Sequence, residues 1–249
     1  LGFDGVLENT LDCVASRDFL ADLAGAAAIL MTNLSRLAED LEIWTSQEFS
    51  TVELDDSYAN TSSIMPQKKN PGTLEVAKAH AASAVGDLTS ILTSLKSASY
   101  TNVGDVAEAV QVLRRMVEDT VITLRIMRGV VSTLRVDREL MFKRTNESFG
   151  TMTELADMIV RERDLSFRLA HEIVAQVAAK AIQEGRVASD LTSDIIDEAA
   201  REVVGKPLSL PEEMVQRALD PRENVRARSL VGGPAPEEVK RMIADRWRR

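Results

Sequence analysis

Aromatic residues are nearly missing from this chain: only 4% of its 249 positions are Phe, Tyr or Trp. A core without rings must be aliphatic, built from Leu, Val, Ile, Ala and Met. Glycine (12) and proline (7) are scarce for this length, which argues for long helices with few interruptions. A single cysteine, Cys13, excludes an internal disulfide and suits a reducing, cytoplasmic setting. With no His near it in sequence, Cys13 reads as a buried thiol on a helix rather than a nucleophile. The longest apolar run, Leu23 to Met31, falls far short of the roughly 20 residues that span a bilayer. Neither a signal peptide nor an initiator Met is visible, so the chain reads as a fragment or a processed piece. Basic residues are in deficit, 30 Lys and Arg against 39 Asp and Glu, giving a net charge of −9. That balance argues against nucleic-acid partners but leaves room for a local basic pocket. No His, Cys, Asp and Glu spacing suggests a metal, and the Met residues at helical spacing read as core rather than cofactor contacts.

What is present is helical periodicity. With 45% hydrophobic and 28% charged residues the composition suits a soluble globular chain of one or two domains. The spacing predicts one long helix from Asp12 to Glu48. Its apolar seam is Leu20, Leu23, Ala27, Leu30, Leu34, Leu37, Leu41 and Trp44, with small residues around Gly25 for close approach. A helix this apolar along one side needs helical partners, including other subunits. A second helix is predicted from Pro71 to Ser97, along Ala77, Ala81, Ala84, Leu88, Ile91 and Leu95. A third runs from Asp105 to Arg135, along Val106, Val110, Leu113, Val117, Val121, Leu124 and Val131. Shorter helices follow near 137–145, 152–162, 166–184, 189–204, 211–219 and 236–247. The expected architecture is all-α: a bundle of long helices in residues 1–140 and a smaller helical domain in 141–249. No strand alternation is visible.

Between the first two helices lies the chemically richest stretch, Thr61-Ser62-Ser63-Ile64-Met65-Pro66-Gln67-Lys68-Lys69-Asn70-Pro71. Asn70 suits an N-cap and Pro71 the first helical position. The helix end would aim amide N–H groups and a positive dipole back at the loop, and Lys68 and Lys69 would add charge. Taken by residue type alone this is a carboxylate-binding loop with a candidate nucleophile or base, Ser62 or Ser63. An isolated Lys-Lys or Ser-Ser pair is more often just a solvated surface. The order of types over the loop is much more specific than such a pair.

That order resembles the signature Gly-Ser-Ser-x-Met-Pro-x-Lys-x-Asn-Pro of the fumarase/aspartase superfamily, in the form most like the argininosuccinate lyases. Upstream, Glu8-Asn9-Thr10-Leu11-Asp12 and Arg17-Asp18-Phe19 are similar to the family's sequence. Downstream, Val131-Ser132-Thr133-Leu134, Thr153-Glu154-Leu155-Ala156-Asp157, Phe167-Arg168-Leu169-Ala170-His171 and Gly232-Gly233-Pro234 continue the likeness. The resemblance implies the family's central bundle, with signature loop 57–71, and its C-terminal domain. It also implies that the N-terminal domain, with the loop bearing the general-acid His, is absent from this chain.

By the same resemblance the chain is a C–N lyase that eliminates fumarate from an N-substituted succinate, argininosuccinate being split to arginine and fumarate. Ser62 matches the base that removes the proton beta to the leaving nitrogen, and Lys68 the group that stabilises charge on the carboxylate. Asn70 matches a carboxylate-binding group and Ser63 adds a hydrogen bond. The substrate is a small anion, no cofactor is implied, and the family is homotetrameric with three subunits forming each site.

Two departures stand out. Thr61 replaces the signature Gly, and a β-branched residue resists positive φ. On an ungapped count Asp105 and Glu108 keep the family's acids, while Asn102, Ala107 and Val110 replace its Tyr, Gln and Lys. Tyr100 lies two positions early. The altered amine side leaves open another N-substituted aspartate, such as ethylenediamine disuccinate, or a non-catalytic relative. Neither His80, read as structural, nor His171, read as a packing or hydrogen-bonding group, matches the catalytic His.

Overall fold

The computed structural model describes residues 2–96 and 98–248, apart from the side chain of Asp105. The expected helix end at Ser97 and the side chain of the retained acid Asp105 lie outside what is described. The chain falls into two compact units that divide between Asp137 and Arg138. Among the described residues it forms eleven α-helices and very little sheet.

In the first unit a short helix α1 (Thr10–Ala15) precedes three long ones, α2 (Asp18–Thr45), α3 (Gly72–Leu95) and α4 (Asp105–Thr133), which pack on one another. The single first helix expected from Asp12 to Glu48 is broken at Ser16, which takes an extended conformation (φ −72°, ψ 133°). Two local groups stabilise the break. Asn9 caps α1 by accepting from the amides of Leu11 and Asp12, and Arg17 donates to the terminal carbonyls of Cys13 and Ser16.

The core of this unit is close to the expected seam on α3, where Leu74, Ala77, Ala81, Ala84 and Ile91 are buried. On α2 the buried row is Leu20, Ala24, Ala27, Ala28, Met31, Ala38 and Leu41. Leu23, Leu30, Leu37 and Trp44, expected in the same seam, are 38–50% exposed. The helix therefore carries two apolar faces, of which this chain covers one. On α4 the buried row is Val106, Ala109, Leu113, Met116, Thr120, Thr123, Met127 and Val130, and the expected Val110, Val121, Leu124 and Val131 face outward. The two buried threonines obscure that row in sequence. Thr120 satisfies its hydroxyl on Met116 O at 2.7 Å, and Thr123 pairs with Nδ1 of half-buried His80 at 2.9 Å, so neither is an unpaired polar group in the core. Each fully buried Leu, Ile or Met contributes about 1.5–3 kcal/mol, so these rows dominate the unit's stability.

Among the described residues four two-residue strands form two antiparallel ladders, too short to leave an alternating pattern in sequence. β1 (Val52–Glu53) pairs with β4 (Arg135–Val136), where the third helix had been expected to continue, and β2 (Asn60–Thr61) pairs with β3 (Lys69–Asn70).

The second unit contains α5 (Arg138–Glu147), α6 (Met152–Arg163), α7 (Phe167–Gln183), α8 (Ser193–Val204), α9 (Glu212–Leu219), α10 (Pro221–Ala227) and α11 (Pro236–Trp247). Its core gathers Leu155, Ile159, Ile173, Val177, Leu191, Ile196 and Val215. The expected helices are present, and α10 is an addition. Its start is built by Asp220, whose carboxylate accepts from the amides of Arg222 and Glu223, with Pro221 in the first turn.

Candidate active site

Between α2 and α3 the chain makes a short climb over the bundle before it reaches the serines. β1 leads into a 3₁₀ turn (Asp56–Tyr58) capped by Asp55, which accepts from Ser57 N at 3.0 Å and Ser57 Oγ at 2.6 Å. Those hydrogen bonds hold the Asp55 carboxyl below its usual range. Tyr58 then lies against Gly129 of α4, and its carbonyl accepts from Thr73 Oγ1 at 2.6 Å. From there β2 rises, residues 62–68 form the tip, and β3 returns to α3. The signature stretch is thus a hairpin whose base is the Asn60–Asn70 and Thr61–Lys69 pairing. Thr61 sits in extended strand, the conformation a β-branched residue favours, and not among the positive-φ residues.

At the tip, Ser62 is half-buried, and Ser63 and Lys68 are exposed. The Ser62 hydroxyl oxygen accepts from the amides of Met65 at 3.1 Å and Ile64 at 3.3 Å. Both donors converge on the oxygen that would carry negative charge if the hydroxyl lost its proton, so they favour the deprotonated form. Among the described residues the Lys68 ammonium has no ion pair.

Two expectations for this loop are corrected. Asn70 is not the N-cap of α3. Its backbone is committed to the ladder with Asn60, Pro71 follows at ψ 46°, and the helix begins at Gly72 with no side-chain cap. Nor is Lys69 available to an anion. Its ammonium is bound to Asp56 Oδ1 at 2.6 Å, Glu53 Oε1 at 2.7 Å and Leu54 O at 3.0 Å. The hydrogen bonds to Asp56 and then Glu53 hold it protonated, above the usual lysine value.

Family models match the chain in two stretches: a lyase model over residues 1–86, which includes the hairpin, and an argininosuccinate lyase C-terminal model over residues 149–226. The argininosuccinate lyase of Methanothermobacter thermautotrophicus is 42% identical over 240 residues, covering 96% of this chain and 51% of the relative. That of Methanosarcina barkeri is 45% identical over 249 residues, covering 99% of this chain and 49% of the relative. The chain belongs to the argininosuccinate lyase family. It spans about half the length of the curated relatives it matches. Among solved structures, a variant of EDDS lyase with bound fumarate superposes with a TM-score of 0.89 at 39% identity, over 98% of this chain and 49% of that one.

The other candidate residues are not part of the hairpin sequence. Cys13, expected to be buried, is exposed on α1, none of whose residues is buried. The hydroxyl of Tyr100 donates to Asp12 Oδ1 at 3.2 Å, linking the segment before α4 to α1. Burial and then the Asp12 charge push its pKa up. Asn102, Ala107, Glu108 and Val110 are exposed. His171 is exposed and makes a tilted ring contact with Phe167, 6.0 Å between centroids. Among the described residues no group of His, Cys, Asp and Glu has the arrangement of a metal site, and no helix is long and apolar enough to cross a membrane. Beneath the ladder lies a cavity of about 50 Å³ bordered by Thr45, Val52, Ala59 and Pro71. That suits a water, not a four-carbon diacid, and neither Ser62 nor Lys68 lines it.

Proposed function

We propose that this chain carries the base and the carboxylate-stabilising half of a C–N lyase, which splits argininosuccinate into arginine and fumarate. The observation that supports this most is the Ser62 oxygen under two converging amide donors, on the same hairpin as Lys68, which has no ion pair among the described residues. Ser62 removes a proton from the carbon beta to the departing nitrogen. The electron pair left behind spreads into the adjacent carboxylate, where the Lys68 ammonium stabilises the added charge. The pair then forms the carbon–carbon double bond as the C–N bond breaks, and the amine leaves with a proton from a general acid supplied by another part of the protein. Asn70 and Ser63 hold the substrate carboxylates.

The open position of Ser62 and Lys68 is consistent with an active site completed by neighbouring subunits. Leu23, Ile29, Leu30 and Leu37 on α2, Val85 and Leu92 on α3, and Ile122 and Val131 on α4 are exposed apolar residues. Outward faces of this extent are what a homotetramer of long helices would cover. The assembly acts in the cytoplasm, in arginine biosynthesis.

A second reading, elimination from another N-substituted aspartate, is favoured by Asn102, Ala107 and Val110 at positions facing the amine in the family. The similarity to EDDS lyase fits it as a relative. Fumarate absorbance during incubation with argininosuccinate and a panel of N-substituted aspartates separates the two. Fastest release from argininosuccinate supports the first reading, fastest release from a panel member the second. Release from none removes both.

A further inference from the structure

The paired lysines of the hairpin are held very differently. The Lys69 ammonium has three N–H donors, and the structure gives it three acceptors: Asp56 Oδ1, Glu53 Oε1 and Leu54 O. These come from β1, the 3₁₀ turn and Leu54 between them, and both elements are fastened independently. Glu53 pairs across the ladder with Arg135, and the turn is fixed by Tyr58 lying against Gly129 and by Thr73 bonding the Tyr58 carbonyl. On the other side, Lys69 is the strand partner of Thr61, the residue directly before Ser62. One side chain therefore ties the base of the hairpin to the bundle, next to both arms that carry Ser62 and Lys68.

Among the described residues no comparable ion pair holds the tip. From Ser63 to Lys68 every residue is exposed, and the hydrogen bonds there are local: Lys68 N donates to Met65 O, and the Ile64 and Met65 amides donate to Ser62 Oγ. Successive residues entering an extended strand project to opposite faces, so Lys69 can be tied down while Lys68 stays free.

We propose that Lys69 is a positioning residue: its ammonium, held by Glu53, Asp56 and the Leu54 carbonyl, sets the hairpin base so that Ser62 and Lys68 meet the substrate in register. This rests on the lyase reading above and adds a part to it. Lys69 touches no substrate. Its effect is on the geometry of the two residues that do, where small displacements are costly.

The test uses the protein as naturally produced and four variants: Lys69→Met, Lys69→Arg, Glu53→Gln with Asp56→Asn, and all three neutral changes together. Lys69→Met lowers kcat by roughly 10- to 100-fold, with KM changed by less than about threefold. The neutralised carboxylate pair gives the same loss, and adding Lys69→Met to it costs nothing more, because the same link is already broken. Lys69→Arg, which can still bridge both carboxylates, recovers most of the rate. Hydrogen exchange at the Ile64 and Met65 amides rises about tenfold in Lys69→Met. Additive losses, a carboxylate pair variant as active as the unaltered protein, or a raised KM with kcat intact would overturn the proposal. So would unchanged exchange at the tip. The exchange result needs no turnover, so absence of fumarate release from every substrate would count against the lyase reading and not against the anchoring role. Should Lys69→Met fail to fold, the carboxylate pair variant and Lys69→Arg still decide it.

Discussion

The Tyr58 phenol stands where a side chain on Gly129 would have to be: a Cβ built there would lie 2.0 Å from the Tyr58 hydroxyl oxygen and 2.3 Å from Cζ. A glycine in mid-helix ordinarily costs about 1 kcal/mol relative to alanine. Here that cost is offset by letting the ring lie directly on α4, under the segment that leads into the hairpin. Two effects oppose one another in Gly129→Ala, the helix-propensity gain and a clash with a ring whose carbonyl is tied to Thr73. Overpacking of this kind costs about 1–3 kcal/mol or more, and with the hydroxyl oxygen and Cζ both under 2.5 Å the clash wins. Urea unfolding of Gly129→Ala gives a lower stability than the unaltered protein. Equal or greater stability would mean that Tyr58 has other room to occupy.

The second unit has its own acid sensitivity. Glu154 is buried, which raises its pKa, but hydrogen bonds from Arg228 and Arg161, each 2.6 Å, outweigh this and leave it lowered. Glu238 is pulled from 4.5 to about 2 by Arg241 and then by the Gly232 amide. Carboxyls with depressed folded-state values stabilise fully above their unfolded value, and lose that contribution as pH falls through the folded one. Protection of α6 and α11 amides from hydrogen exchange should therefore be constant above about pH 5 and fall as pH drops from about 4.5 towards 2. Glu154→Gln should cost about 1–3 kcal/mol at neutral pH. The lower end applies, because Arg161 keeps more than half of its surface in water. An acid profile unaltered in Glu154→Gln would contradict this account.

Much of this was visible in the sequence. Leu74, Ala77, Ala81, Ala84 and Ile91 repeat at helical spacing, and any helix they form must bury them. The face of α4 was harder to read, because Thr120 and Thr123 are buried and satisfied by a helix carbonyl and by His80, while valines point outward. Apolar residues on α2 and α4 lie on both buried and exposed faces, and a periodicity count cannot tell which belongs to which. The break at Ser16 turns on the side chains of Asn9 and Arg17, a local competition that the apolar pattern passes straight over. Helix α10 is not among the expected helices, although Asp220-Pro221 followed by Glu223 is a helix start by residue type. In the hairpin the residue types pointed to a serine and lysine site but not to how differently the two lysines are held. By residue type Lys69 suits an anion, because its partners, Glu53 and Asp56, lie 16 and 13 residues earlier. Asn70 suits a cap, because the strand that takes it has only two residues.

The central claim is that the Ser62 oxygen, under the Ile64 and Met65 amides, takes the proton that starts the elimination. The most direct measurement is the rate of fumarate release by the naturally produced protein and its Ser62→Ala variant, on whichever N-substituted aspartate the protein cleaves. The account predicts that kcat falls by at least about 100-fold with substrate affinity largely kept, and that Ser63→Ala falls much less. A Ser62→Ala variant that releases fumarate at the unaltered rate would contradict it.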